Sequence, residues 1–125
     1  MKCSDKTCNC YIFHEETLNK VKSTLIEDDK IMEISNYLKV LADFTRIKIL
    51  EAIKDEYLCV CDIGHLLGLT KSAISHQMKT FKKYKMVESK KEGKMVYYKL
   101  SNKIVSDFID NVSKEVELIW KKELR

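Results

Sequence analysis

No proline occurs among the 125 residues, glycine occurs three times and tryptophan once. With so few chain breakers there is little loop material, and the expected content is mostly helix. Long apolar runs are missing as well. Uninterrupted stretches reach only a few residues, far short of the roughly 20 needed to cross a bilayer. The first 30 residues carry charges throughout instead of an apolar signal core, so the expectation is a soluble, cytoplasmic chain with no membrane partner. No Ser-His-Asp arrangement, phosphate loop or paired-carboxylate site is evident, and catalysis is not expected. What remains suits a single compact domain, with 45% apolar residues, a size that buries about two-thirds of the unfolded surface. Five cysteines cannot form a complete disulfide framework, and in a reducing compartment they point to metal or redox chemistry.

Charge of one sign is scarce overall and concentrated locally. The total is only +4, but residues 70–103 hold ten lysines against two glutamates, a net +8 that leaves the rest of the chain at −4. One lysine run alone would be a solvated face. A polarised basic third within a nearly balanced chain instead suits a surface that meets phosphates and releases their counterions.

Residues 1–14 contain Cys3, Cys8, Cys10 and His14 without a helical period and read as a cysteine-bearing tail. Residues 15–125 read as the folded domain. Leu18, Val21, Leu25 and Ile26, then Ile31, Ile34, Leu38 and Leu41 after the acidic break Glu27-Asp28-Asp29, recur at helical spacing and predict two helices. A third starts at Asp43 as N-cap, with Phe44, Ile47, Leu50 and Ala52 or Ile53 facing inward. A short fourth element runs from Asp62, its expected N-cap, to Leu67 and stops at Gly68.

After Gly68-Leu69-Thr70 comes a helix with Ile74, Met78 and Phe81 on one face and Ser72, Ser75, His76 and Lys79 on the other. A brief helix, a turn with glycine and a second helix with a polar face is the helix-turn-helix pattern, whose second helix enters the major groove. Two β-prone runs, residues 86–90 and 95–100, flank Lys91-Glu92-Gly93-Lys94 and predict a two-stranded wing with lysines at its tip. The expected fold is therefore mainly α with a small β-hairpin, a winged helix-turn-helix. Thr70, Lys71, Ser72, Ser75, His76, Gln77 and Lys79 on the reading helix and Lys90, Lys91 and Lys94 on the wing are the candidate contacts to double-stranded operator DNA.

The last segment repeats apolar residues at Ile104, Val105, Phe108, Ile109, Val112, Val116, Ile119 and Trp120. So long a stripe exceeds what a small winged domain covers, and a second copy would cover it. A homodimer through the N- and C-terminal helices, reading an imperfect palindrome, is expected.

Cys59-Val60-Cys61-Asp62 pairs two thiols at i, i+2, which point to one side only where the chain is extended or just entering a helix. Cys8 and Cys10 would complete a four-sulfur site for a soft divalent effector such as Cd2+, Pb2+ or Zn2+. A thiol redox sensor would use the same residues, but the CxxC spacing is missing and a disulfide within CxC closes a strained ring.

In residues 38–50, in Tyr57-Leu58-Cys59-Val60-Cys61-Asp62-Ile63, in Ser75-His76-Gln77-Met78, and in the wing Lys91-Glu92-Gly93-Lys94 with Tyr97-Tyr98, the sequence resembles the ArsR/SmtB family of metal-responsive winged-helix repressors, in particular its cadmium- and lead-responsive CadC-type branch. The resemblance implies a dimeric repressor that releases its operator, and with it metal-resistance genes, when a toxic ion binds. It matches Cys59 and Cys61 to the family's cysteine pair and Cys8 to its tail cysteine. Ile12 stands where the second tail cysteine is expected, so Cys10 would substitute. It implies that the tail of one subunit reaches the pair of the other. At the family's second zinc site this chain has Asn102, Ile104, Glu115 and Leu118, so that site is expected to be absent. An arsenite-responsive repressor shares the cysteine pair, but relatives of that kind add a cysteine three residues later, where Gly64 stands.

Overall fold

The computed structural model describes residues 13–123, so the tail cysteines Cys3, Cys8 and Cys10 lie outside the described residues. Two compact units divide the chain, Met1–Ser35 and Asn36–Arg125. The element order is α1 (Glu15–Thr24), α2 (Asp28–Leu41), α3 (Phe44–Ala52), β1 (Leu58–Cys59), α4 (Val60–Leu67), α5 (Lys71–Lys83), β2 (Val87–Glu92), β3 (Met95–Leu100) and α6 (Ile104–Glu123). The first unit holds α1 and the start of α2, with Leu18, Val21, Ile31, Met32 and Ile34 exposed. Helix α1 ends at Thr24, with Leu25 extended as its C-cap, so Leu25 and Ile26 follow the helix instead of continuing its apolar face.

The second unit carries the core. Ile49 and Leu50 from α3, its C-cap Ile53, Ile63 from α4, Ile74, Met78 and Phe81 from α5, and Tyr98 and Leu100 from β3 are buried together. Burial of each aliphatic side chain contributes on the order of 2 kcal/mol. Helix α3 begins where Asp43 caps it, its Oδ2 accepting from the Arg46 backbone N–H at 3.0 Å. Phe44, expected to face inward, is 79% exposed with the Lys48 ammonium 5.5 Å from its ring centroid. The two aliphatics one turn on, Ile49 and Leu50, take the core, and the first-turn aromatic is left on the outer face.

Helix α4 starts three residues earlier than Asp62 as N-cap would place it. Cys59 is the N-cap, its Sγ accepting from the Asp62 N–H at 3.5 Å. At its other end Gly68 adopts φ 69°, and both Gly68 and Leu69 donate backbone N–H groups to the Gly64 carbonyl. Thr70 then caps α5 through Oγ1 to the Ala73 N–H at 3.1 Å. Helix α5 closes in a Schellman motif: Met86 N–H donates to Phe81 O at 2.9 Å and Lys85 N–H to Lys82 O at 3.0 Å. Lys85 itself takes φ 55° there, the conformation glycine would adopt without cost.

The expected two-stranded wing is a three-stranded antiparallel sheet in the order β1-β3-β2. Leu58 pairs with Tyr98 and Cys59 with Tyr97, adding a two-residue edge strand too short to carry any period of its own. The hairpin is also tighter than the expected four-residue connection. Pairing runs to Glu92 opposite Met95, leaving only Gly93 and Lys94 in the turn, with Gly93 at φ 61°.

Candidate nucleic-acid interface and thiol pair

Helix α5 separates its two faces cleanly. Ile74, Met78 and Phe81 hold it to the core, and Lys71, Ser72, Ser75, His76 and Lys79 are exposed, as is the cap Thr70. All of these polar side chains but Lys79 are within about one and a half turns of the helix N-terminus, the end that a reading helix presents to base edges. Gln77 differs. It is half-buried on the flank of the helix, and its Oε1 accepts from Arg46 Nε at 2.8 Å. That bond uses one lone pair of the amide oxygen and ties the flank of α5 to α3.

On the wing, Lys90, Lys91 and Lys94 are exposed. Lys90 is held in place, its ammonium 4.4 Å from the Tyr57 ring centroid and 3.4 Å from Glu92 Oε1. The Tyr57 hydroxyl in turn donates to Glu88 Oε1 at 2.7 Å, and Lys99 stands 5.6 Å from the same ring. The carboxylate that accepts from it stabilises the protonated phenol, so Tyr57 titrates above its ordinary range. Burial does the same for Tyr37.

Cys59 is buried and Cys61 exposed, both free thiols. They lie where the edge strand becomes the first turn of α4, the extended-to-helix junction that lets an i, i+2 pair face one ion. Among the described residues no three His, Cys, Asp or Glu side chains gather as a metal site. The pair is therefore at most half of a tetrahedral site, with further donors needed from elsewhere. The sheet register adds a connection the sequence did not disclose: Cys59 is opposite Tyr97, and Tyr97 is opposite Lys90. Cys59 and the wing lysine thus share one row of the sheet. Arg46 was also missed, because its partner Gln77 is 31 residues away and its cationic charge lies outside the lysine-rich third. His65 is exposed on α4, and His14 precedes α1 without making a side-chain cap.

No helix among the described residues is long and apolar enough to cross a membrane. Residues 43–89, from the cap of α3 into the wing, match the model of the bacterial regulatory protein arsR family. The cadmium resistance transcriptional regulatory protein CadC of Listeria innocua is 35% identical over 79% of this chain and 83% of its own length. The arsenical resistance operon repressor of Staphylococcus aureus is 32% identical over 65% of this chain and 78% of its own. Among solved structures, the homodimeric winged helix-turn-helix DNA-binding domain of Mb0332 from Mycobacterium bovis superposes with a TM-score of 0.66 at 20% identity, covering 79% of this chain and 94% of that one. With a winged helix-turn-helix, a polar reading face and a 35% identical relative across four-fifths of its length, the chain belongs to the arsR family of bacterial regulatory proteins, DNA-binding transcriptional regulators and not enzymes.

Proposed function

We propose that the protein is a homodimeric repressor that holds operator DNA through Thr70, Lys71, Ser72, Ser75, His76 and Lys79 of the reading helix and Lys90, Lys91 and Lys94 of the wing, and that a soft thiophilic cation (Cd2+, Pb2+ or Zn2+) bound at Cys59 and Cys61 with Cys8 and Cys10 of the tail releases it. The observation that carries this reading is the position of Cys59. It is at once the edge residue of the wing sheet and the cap of the first helix of the helix-turn-helix. A soft cation, when bound, supplies a centre that draws sulfurs together, and thiolates select such ions over magnesium or calcium.

The chain's own residues then determine the consequence. A shift of Cys59 Sγ to meet a metal would alter its bond from the Asp62 N–H, already long at 3.5 Å. Losing that cap loosens the start of α4, which leads through the three-residue turn into α5. On the other side, movement of β1 passes through Tyr97 to Lys90. Both DNA-facing parts are thus tied to one sulfur. By linkage, an ion that prefers the DNA-free arrangement lowers DNA affinity by the same factor, typically about 1 to 3 kcal/mol of coupling.

Dimerisation is supported by the apolar surface a single chain leaves uncovered. Phe108, Val112, Val116, Ile119 and Trp120 form an exposed stripe along α6. Phe108 and Val112 also line an apolar hollow of about 290 Å³ with Leu38, Leu41, Ala42, Ile47 and Ile109. Cadmium is favoured over arsenite because the 35% identical relative is a cadmium resistance regulator and because position 64 has no room for a third thiol: a Cβ there would stand 2.7 Å from the Leu69 carbonyl oxygen.

The test is operator binding by the wild-type protein and by Cys59→Ser and Cys61→Ser, each with and without cadmium. The reading expects cadmium to release DNA from the wild-type protein only. Release from both variants would refute the assignment of the thiol pair, and release by oxidant but not by cadmium would favour a redox sensor.

A further inference from the structure

Arg46 is half-buried on α3, and among the described residues no carboxylate pairs with its guanidinium. Charged side chains removed from water are normally matched by an opposite charge. Here the only partner of the guanidinium among the described residues is a neutral amide, Gln77 Oε1, at 2.8 Å from Nε. The backbone of Arg46 is anchored as well, its N–H held by Asp43 at 3.0 Å. Both ends of the residue are therefore fixed, and the two Nη groups keep their donors without an acceptor. Gln77 belongs to the reading helix, two residues from Ser75 and Lys79 on its exposed face. A preorganised guanidinium with a free fork beside that face matches the bidentate geometry of a phosphate.

We propose that Arg46, oriented by Gln77, is a clamp for a DNA backbone phosphate at the edge of the surface read by α5, with Gln77 a positioning residue and not a base reader. This rests on the DNA-binding reading and deepens it: the missing counterion of Arg46 is supplied by the nucleic acid. The clamp contributes affinity and register to every sequence alike, because phosphates carry no base information.

Three variants test it: Arg46→Gln, Arg46→Lys and Gln77→Glu. Each is titrated by fluorescence anisotropy at several salt concentrations against two probes, a random-sequence duplex of about 30 base pairs, about three helical turns, and the duplex pool that the wild-type protein itself enriches. For Arg46→Gln the expectation is a fall of about three- to tenfold on both probes, with the salt slope reduced by about 0.9 for each lost phosphate contact, or about 1.8 for a dimer. Arg46→Lys keeps the charge and should retain most of the slope while losing part of the affinity, since the fork is gone. Gln77→Glu is the decisive variant, because it gives Arg46 an internal carboxylate. Thermal stability should hold or rise while DNA affinity falls as in Arg46→Gln. If Arg46→Gln leaves affinity and salt slope unchanged, or if Gln77→Glu binds DNA as well as the wild-type protein, the pair is only a structural tie between α3 and α5. A change in the preferred base with no change in salt slope would make Gln77 a reader and overturn the assignment. Failure of the wild-type protein to bind either probe would refute the operator reading and this proposal together, whereas an unaffected Arg46→Gln refutes the clamp alone.

Discussion

Gly64 is where the helix-turn-helix is most tightly closed, and Gly64→Val should open it. The residue is buried in α4. A Cβ added there would lie 2.7 Å from the Leu69 carbonyl oxygen and 3.4 Å from Ile74 Cδ1. The carbonyl cannot simply retreat. The Leu69 N–H donates to Gly64 O at 3.0 Å and the Gly68 N–H to the same oxygen, so any shift of Leu69 strains the turn that sets α5 against α4. Replacing glycine by valine in a helix gains a few tenths of a kcal/mol of propensity. Seating three extra carbons against fixed backbone costs about 2 to 3 kcal/mol. The net expectation is a loss of about 2 kcal/mol, a fall in Tm on the order of 5 to 10 °C for a chain of this size. Gly64→Ala carries the same Cβ against the Leu69 carbonyl, which offsets its gain of about 1 kcal/mol in propensity, so it too should be destabilised, by less than Gly64→Val. Urea unfolding at one fixed protein concentration, which holds any contribution of dimerisation constant, measures both. A Gly64→Val protein as stable as the wild type and equally able to bind DNA would refute the close-approach reasoning.

Lys85→Gly should stabilise the protein by about 0.5 to 1 kcal/mol, because a left-handed residue in a Schellman motif is strained for lysine and free for glycine; the same urea titration reads it. Thr70→Ala removes the cap of the reading helix and should cost about 1 kcal/mol, with a matching drop in the unfolding midpoint. Val116→Asp places a charge in the exposed stripe of α6; sedimentation equilibrium should show a dimer for the wild-type protein and a monomer for the variant, and DNA binding should weaken with it.

The legible parts of this fold were those with a sustained period or a strong punctuation signal. Ile74, Met78 and Phe81 were assigned to one buried face and lie there, because a four-turn helix repeats its pattern often enough to fix its phase. Gly68 marked the end of α4 for the same reason that it adopts a left-handed conformation. What escaped was short or non-local. Strand β1 is two residues long, and it is recognised only by its pairing with Tyr97 and Tyr98. A thiol is an uncommon helix cap, so Asp62 was preferred to Cys59 as the start of α4. The spacing of Phe44 with Ile47 and Leu50 points it inward, but in a nine-residue helix the phase is weakly fixed, and Phe44 is exposed. The contact of Arg46 with Gln77 joins two helices 31 residues apart in sequence, a pairing that no local pattern discloses.

The central claim is that sulfur coordination and operator retention exclude each other in one molecule. Its most direct measurement is a single cadmium titration of the reduced protein on labelled operator, following the ultraviolet absorption of sulfur-to-metal charge transfer and the fluorescence anisotropy of the DNA in the same cuvette. The account predicts that both signals change together and saturate at the same metal equivalence. Full growth of the charge-transfer band with the anisotropy unmoved would contradict it.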